Sequence, residues 1–198
     1  MRAPCRVRLV TDRVGRSADN GQPMTTSLPI AISACLLGEA VRYDGKHKRA
    51  VWIESLEPYV AWVPFCPEVE IGLGVPRPPI RIEDVDGRVR LRVIQSGEDL
   101  SARMDALARA RIETFERGRV AGVIFKARSP SCAVADAPRW CGEAQPSYDG
   151  PGWFAEAVLR DGRFPVASDE VLDTPSSRAA FLASARAVWE ARYGTPGA

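Results

Sequence analysis

The chain has no apolar run approaching the eighteen or so residues that a bilayer-spanning helix requires. It has no surplus of one charge either. Formal net charge is +2 over 198 residues, and acidic side chains are interspersed among the arginines. Aromatic platforms are missing from the arginine-rich stretch 80–94, so a nucleic-acid surface is not indicated. Five cysteines are too few for a dense extracellular framework, and an odd number cannot all pair within one chain. A reducing, cytoplasmic compartment is expected, with thiols free to act as ligands or nucleophiles. The cysteines are not gathered locally as in a zinc finger or a ferredoxin. No internal repeat is present.

The first 23 residues carry five arginines and two aspartates, and setting them aside leaves a net charge of −1. They lack the apolar core of a secretory signal. They read as a disordered basic extension, or as sequence upstream of a working start at Met24. Cys5 therefore stands apart from any site. Residues 24–198 are expected to form a single domain with a sizeable core.

What the chain does have is a repeated arrangement. Val120 to Phe125 is short, apolar and β-branched, flanked by Arg117-Gly118-Arg119 and Ser129-Pro130-Ser131. That pattern suits a buried strand. Pro130 offers no amide donor and restricts Ser129, so the strand must end before Cys132. The runs Ile30-Ala-Ile-Ser-Ala-Cys35 and Val60-Ala-Trp-Val-Pro-Phe-Cys66 also end at a cysteine. In open α/β sheets, ligands sit beyond the carboxyl ends of strands. Convergence of these three strand ends is the central expectation.

The remaining segments fill in around them. Leu28 to Ala34 reads as the first strand, 49–56 as a short helix, and Tyr59 to Val63 as the second strand. A polar loop holding Arg42, Tyr43, Asp44, Lys46 and His47 follows Cys35, with His47 read as a loop residue. Gly72 to Pro79 is rigid and irregular, with Arg77 inside it, and can line a pocket. Stretch 80–94 alternates as a half-exposed hairpin turning at Asp86-Gly87. A long helix runs to Phe115, capped by Asp99 or Ser101 and closed by Gly118. From Cys132 to Gly150 the chain reads as irregular. A helix at 153–160, a short strand at 164–167 and a helix at 176–193, capped by Ser176 or Ser177, complete it. Together these give an α/β three-layer sandwich with a largely parallel central sheet and a peripheral hairpin.

From spacing alone, Cys35, Cys66 and Cys132 can be ligands of a metal or cluster, buried small hydrophobes or a nucleophile. Their surroundings also carry a resemblance. Ser33-Ala-Cys35-Leu-Leu-Gly with Val41-Arg-Tyr-Asp-Gly-Lys46 resembles the opening motif of the DUF523 family. Phe65-Cys66-Pro-Glu68 through Gly74-Val-Pro-Arg-Pro78 resembles its second motif, and Ile124-Phe-Lys126-Ala-Arg-Ser129-Pro-Ser-Cys132 its third. The match runs from about Leu28 to Glu170. The chain departs from the family at Ala133, where glycine is common, and at Val69-Glu70-Ile71 before Gly72.

Characterised family members are TudS-type thiouracil desulfidases with an oxygen-sensitive [4Fe-4S] cluster held by three cysteines. The resemblance implies Cys35, Cys66 and Cys132 as those ligands, and iron–sulfur assembly machinery as a partner. It implies an iron without a protein ligand that grips a thiocarbonyl sulfur. Glu68 is the expected general base for water, or else caps or salt-bridges locally. Ser129 and Ser131 are placed to hydrogen-bond the ring or the leaving sulfur, or to cap the turn at Pro130. Lys126 would stabilise negative charge or pair with an acid. Ser33, Tyr43, Asp44 and Lys46 are further pocket candidates. A free thiolated pyrimidine or nucleoside outranks thiolated transfer RNA, since nothing in the charge pattern favours a polyanion. The alternatives are a non-catalytic iron–sulfur sensor with Cys141 as fourth ligand, and a zinc or cysteine hydrolase.

Overall fold

The computed structural model describes residues 27–194 apart from Asp86 and Glu143. The expected basic extension, Met24 and Cys5 lie outside the described residues, as does Asp86 of the hairpin turn. Eight strands are present among those residues: β1 Leu28–Ser33, β2 Val60–Phe65, β3 Ile80–Val85, β4 Arg88–Val93, β5 Gly122–Phe125, β6 Pro138–Cys141, β7 Ser147–Tyr148 and β8 Val166–Ser168. Five α-helices accompany them: α1 Ile53–Leu56, α2 Pro67–Glu70, α3 Ser101–Arg117, α4 Trp153–Asp161 and α5 Pro175–Tyr193.

The central sheet has the order β2-β1-β5-β8 and is parallel throughout. Both of its faces are covered, which is why its strands read as unbroken apolar runs rather than alternating ones. Ala31, Val123 and Phe125 point into a core shared with α3, α4 and the hairpin. Ile30, Ile32 and Ile124 point the other way, toward Trp52, Phe181, Ala185 and Trp189. Phe65 anchors the first core, with ring centroids 5.5 Å from Phe115, 5.7 Å from Phe125 and 5.5 Å from Phe154. Gly122 lets α5 approach the sheet, since a Cβ there would lie 2.9 Å from Phe181 Cζ.

The order of the central sheet decides where a site can form. From β1 the chain goes to β2 on one side, then returns to β5 on the other. The carboxyl ends of β1 and β5 therefore flank a topological switch point, the usual place for a ligand crevice. Because all the strands are parallel, the segments following β1, β2, β5 and β8 emerge at one edge.

The hairpin of β3 and β4 forms as expected, paired from Ile80–Val93 to Val85–Arg88. It does not stand alone. Residues expected to be irregular contribute β6, parallel to β3, and β7, antiparallel to β6, giving a second sheet of order β4-β3-β6-β7. Pro138 opens β6, a position where its missing amide is tolerated. At the start of α3, Asp99 Oδ1 accepts from Ser101 N at 2.8 Å. Helix α5 starts one residue before the expected stretch, and Thr174 rather than a serine caps it, its Oγ1 accepting from Ser177 N at 3.2 Å. Among the described residues no helix is long and apolar enough to cross a membrane.

Candidate functional site

Cys35 lies in a 3-10 turn, Ala34–Leu37, that follows β1 directly. Gly38 ends that turn with φ +100, a conformation suited to glycine. Cys66 follows β2 and precedes α2, with Pro67 at the first helical position. Its amide donates to Glu70 Oε1 at 3.2 Å, and Glu70 is in turn held by Arg111 of α3.

Cys132 sits farther beyond its strand, in the loop after β5. The amino end of α4 holds that loop: Trp153 N donates to Pro130 O at 2.8 Å, and Phe154 N and Ala155 N to Ser131 O at 3.0 Å. Gly152 N donates to Ala133 O at 2.8 Å. The free amides of a helix start thus satisfy carbonyls of the cysteine loop.

All three thiols line one cavity of about 240 Å³ at the switch point, together with Ser33, Tyr43, Glu68, Arg77, Lys126 and Ser129. Cys35 and Cys132 are buried, Cys66 half-buried, and all are free thiols. Burial first, then the Cys66 thiol, pushes Cys35 up to about 11. Burial first, then Cys66, lifts Cys132 well above the ordinary thiol range. Burial first, with the Glu68 carboxylate adding to it, raises Cys66. Left alone, the three thiols therefore stay protonated, whereas a bound metal would deprotonate them outright. One hydrogen-bond donor to sulfur is already in place, Arg77 Nη2 at Cys66 Sγ, 3.9 Å.

The sequence-predicted residues fall into three groups. Glu68, Ser129, Lys126, Ser33 and Tyr43 line the cavity with the thiols. Ser131 is fully buried behind it, donating to Glu68 Oε1 at 2.9 Å. Asp44 and Lys46 lie in an exposed turn, with Lys46 N donating to Asp44 Oδ1 at 3.1 Å, and do not line the cavity. The Ser129 oxygen accepts from the amides of Ser131 and Cys132, at 3.2 and 3.1 Å, so it caps the turn at Pro130. His47 is exposed in its loop, its Nδ1 accepting from Arg49 N at 3.2 Å.

Two more residues complete the site: Asp169, not singled out from the sequence, and Arg77, expected only as part of a loop that can line a pocket. Asp169, just past β8, accepts from Lys126 Nζ at 2.9 Å and from Ala127 N at 2.6 Å. Arg77 grips Glu68 at 2.8 Å. Arg77 stood in the quoted second motif, and a cation wedged between prolines in a rigid loop was a usable signal. Asp169 comes after a fourth strand of the same sheet, but that strand is only three residues long and gave little warning. Arg128 holds φ at 54° on the cavity rim, an uncommon conformation for a residue with a side chain. Cys141 is exposed at the end of β6, beside Asp84, and is not among the cavity residues.

A model of the 2-thiouracil desulfurase family matches residues 30–170. The chain belongs to that family. A curated relative, the uncharacterised protein YbbK of Bacillus subtilis (strain 168), is 33% identical over 108 residues, covering 52% of this chain and 72% of YbbK. The solved structure of the [4Fe-4S]-dependent thiouracil desulfidase TudS matches with a TM-score of 0.64 and 31% identity. That match covers 78% of this chain and 97% of TudS. The mixed α/β architecture, with its parallel sheet and second sheet, is that of TudS.

The donor set suits an iron–sulfur cluster. Among the described residues no three His, Cys, Asp or Glu side chains are gathered tightly enough to hold one metal ion. A zinc site needs its ligands within about 2.3 Å of one centre. The thiolates of a cluster need not meet at a point, since each takes a different iron.

Proposed function

We propose that this protein is an iron–sulfur-dependent desulfidase that replaces the sulfur of a thiolated pyrimidine, 2- or 4-thiouracil or its nucleoside, with oxygen from water. The observation that carries the reading is the lining of one switch-point cavity by Cys35, Cys66, Cys132 and Glu68. The three thiols would hold a [4Fe-4S] cluster. When bound, the cluster supplies an iron without a protein ligand, a Lewis acid for the thiocarbonyl sulfur.

The rest falls to the chain's own side chains. Glu68 is the base that takes a proton from water as it adds to the ring carbon. Its Oε2 is held by Arg77 and its Oε1 by Ser131, so the carboxylate is fixed before substrate arrives. Ser129 uses its oxygen for two backbone amides, and its hydroxyl proton remains to donate to the ring. Lys126, anchored by Asp169, sets a positive charge in the cavity wall where negative charge develops. Thiocarbonyl and water become carbonyl and hydrogen sulfide, with no net electron transfer.

A larger depression of about 810 Å³ adjoins the cavity and shares Arg42, Lys126, Ala127 and Arg128 with it. It gives the sugar of a nucleoside room that the inner cavity lacks. A cytoplasmic location would keep these thiols reduced and free to hold the cluster. The position of Cys141 away from the cavity argues against a fully ligated sensor cluster.

The test is anaerobic incubation of the reconstituted protein with 2-thiouracil, 4-thiouracil and 4-thiouridine, reading hydrosulfide and the oxygenated base. Equimolar release of both supports the reading. A loaded protein that releases neither from any of the three overturns it.

A further inference from the structure

We propose that Arg77 is a positioning residue that ties the Cys66 thiolate to the Glu68 carboxylate through one guanidinium, a role that rests on the desulfidase reading above. Arg77 is 7% exposed, deep burial for a cation. Each of its side-chain N–H groups has a place. Nε donates to Glu68 Oε2 at 2.8 Å, and Nη2 reaches the same oxygen at 2.8 Å. Nη1 donates to Val41 O at 2.8 Å and to Gly74 O at 3.0 Å. The remaining Nη2 proton faces Cys66 Sγ at 3.9 Å. The backbone amide of Arg77 donates to Tyr43 O at 3.0 Å, so the loop after β1 is pinned from both ends of the residue.

This arrangement has two effects that a merely structural staple would not produce. First, the Nε–H holds Oε2, with Nη2 in ion-pair range of it, leaving Oε1, shared only with Ser131, as the oxygen that meets water. Turning the carboxylate would cost turnover rather than substrate affinity. Second, a cation and an N–H donor at the Cys66 sulfur favour the more reduced cluster and raise its potential. Lysine brings a compact charge but cannot span Glu68, two carbonyls and a sulfur at once. Glutamine removes the charge as well.

The experiment uses full-length loaded protein, with every value expressed per cluster. Wild type is compared with Arg77→Lys, Arg77→Gln, Glu68→Gln and the Arg77→Gln/Glu68→Gln double variant. The readouts are iron content, kcat, KM and the midpoint potential from an EPR-monitored redox titration. In Arg77→Lys, kcat is expected to fall about tenfold or more, the scale of losing a partner of a metal-site residue, while KM stays within about twofold. The midpoint potential falls in Arg77→Gln. In the Glu68→Gln background the same Arg77 change costs less turnover than it does alone. Wild-type kcat per cluster and wild-type potential in both Arg77 single variants would overturn the proposal, as would turnover lost only in proportion to iron. If Arg77→Gln binds no cluster, Arg77→Lys alone decides. If wild type desulfurates no thiopyrimidine, the functional reading falls, and the potential shift still decides whether Arg77 serves the Cys66 ligand.

Discussion

Replacing Gly152 with alanine tests whether the third thiol is placed by packing against α4. Gly152 has φ −68 and ψ 157, which alanine adopts without strain. On backbone entropy alone, alanine would stabilise the fold by about 0.4–1 kcal/mol. Sterics run the other way. An added Cβ would lie 2.6 Å from Ser131 C, 2.8 Å from Cys132 N and 2.8 Å from Ser129 O. All three are backbone atoms, so no flexible side chain can yield. Either the start of α4 or the Ser129–Cys132 loop must move, and with it the four amide bonds from Gly152 to Ala155. Overpacking of this kind costs about 1–3 kcal/mol. For a chain of this size that lowers Tm by roughly 2–12 °C. A shift of the loop also exceeds the roughly 0.5 Å tolerance of a preorganised site. Gly152→Ala is therefore expected to lower Tm and to bind less iron on anaerobic reconstitution. Gly118→Ala, whose Cβ would meet nothing closer than Thr114 O at 3.2 Å, is the matched control. Wild-type Tm and iron content in Gly152→Ala would refute the packing argument.

Asp169→Asn leaves Lys126 Nζ and Ala127 N competing for one amide oxygen. It is expected to destabilise the fold by about 1–3 kcal/mol in urea denaturation and to lower kcat, whereas unchanged values would mean that Lys126 needs no anchor. The Arg192 hydrogen bond, with Tyr193 and Arg163 adding to it, holds the Glu116 carboxyl below its ordinary range. A depressed carboxylate contributes stability that is full above the ordinary carboxylate range and lost as pH falls through the folded value. Urea midpoints of wild type and Glu116→Gln should therefore differ near neutrality, by about 1 kcal/mol or less for this half-exposed cluster, and converge in acid; a gap that widens in acid would reverse the sign. In cluster-free protein at neutral pH, iodoacetamide is expected to label exposed Cys141 before Cys35 and Cys132, which burial keeps protonated. Mass spectrometry showing Cys132 labelled first would contradict that burial.

The strands that carry the thiols were legible because burial on both faces forces long apolar, β-branched runs, and prolines mark where they stop. Convergence was legible too, since parallel strands deliver their exit loops to one edge. The second sheet was not. Its strands β6 and β7 span four and two residues, open on Pro138 and show no alternation. The side-chain partners behind the site were equally hidden. Lys126 meets Asp169 across 43 positions and Ser131 meets Glu68 across 63, distances at which no local pattern announces a partner. Helix α5 shows how small such differences can be: Thr174 sits two or three residues before the serines expected to cap it, and Pro175 at the first helical position marks the true start.

Iron and acid-labile sulfide per chain, measured after anaerobic reconstitution of wild type and the Cys35→Ser, Cys66→Ser, Cys132→Ser and Cys141→Ser variants, test the central claim most directly. The account predicts about four of each in wild type and in Cys141→Ser, with the other three variants failing to retain the cluster. Full cluster content in any of those three, or its loss in Cys141→Ser, would contradict it.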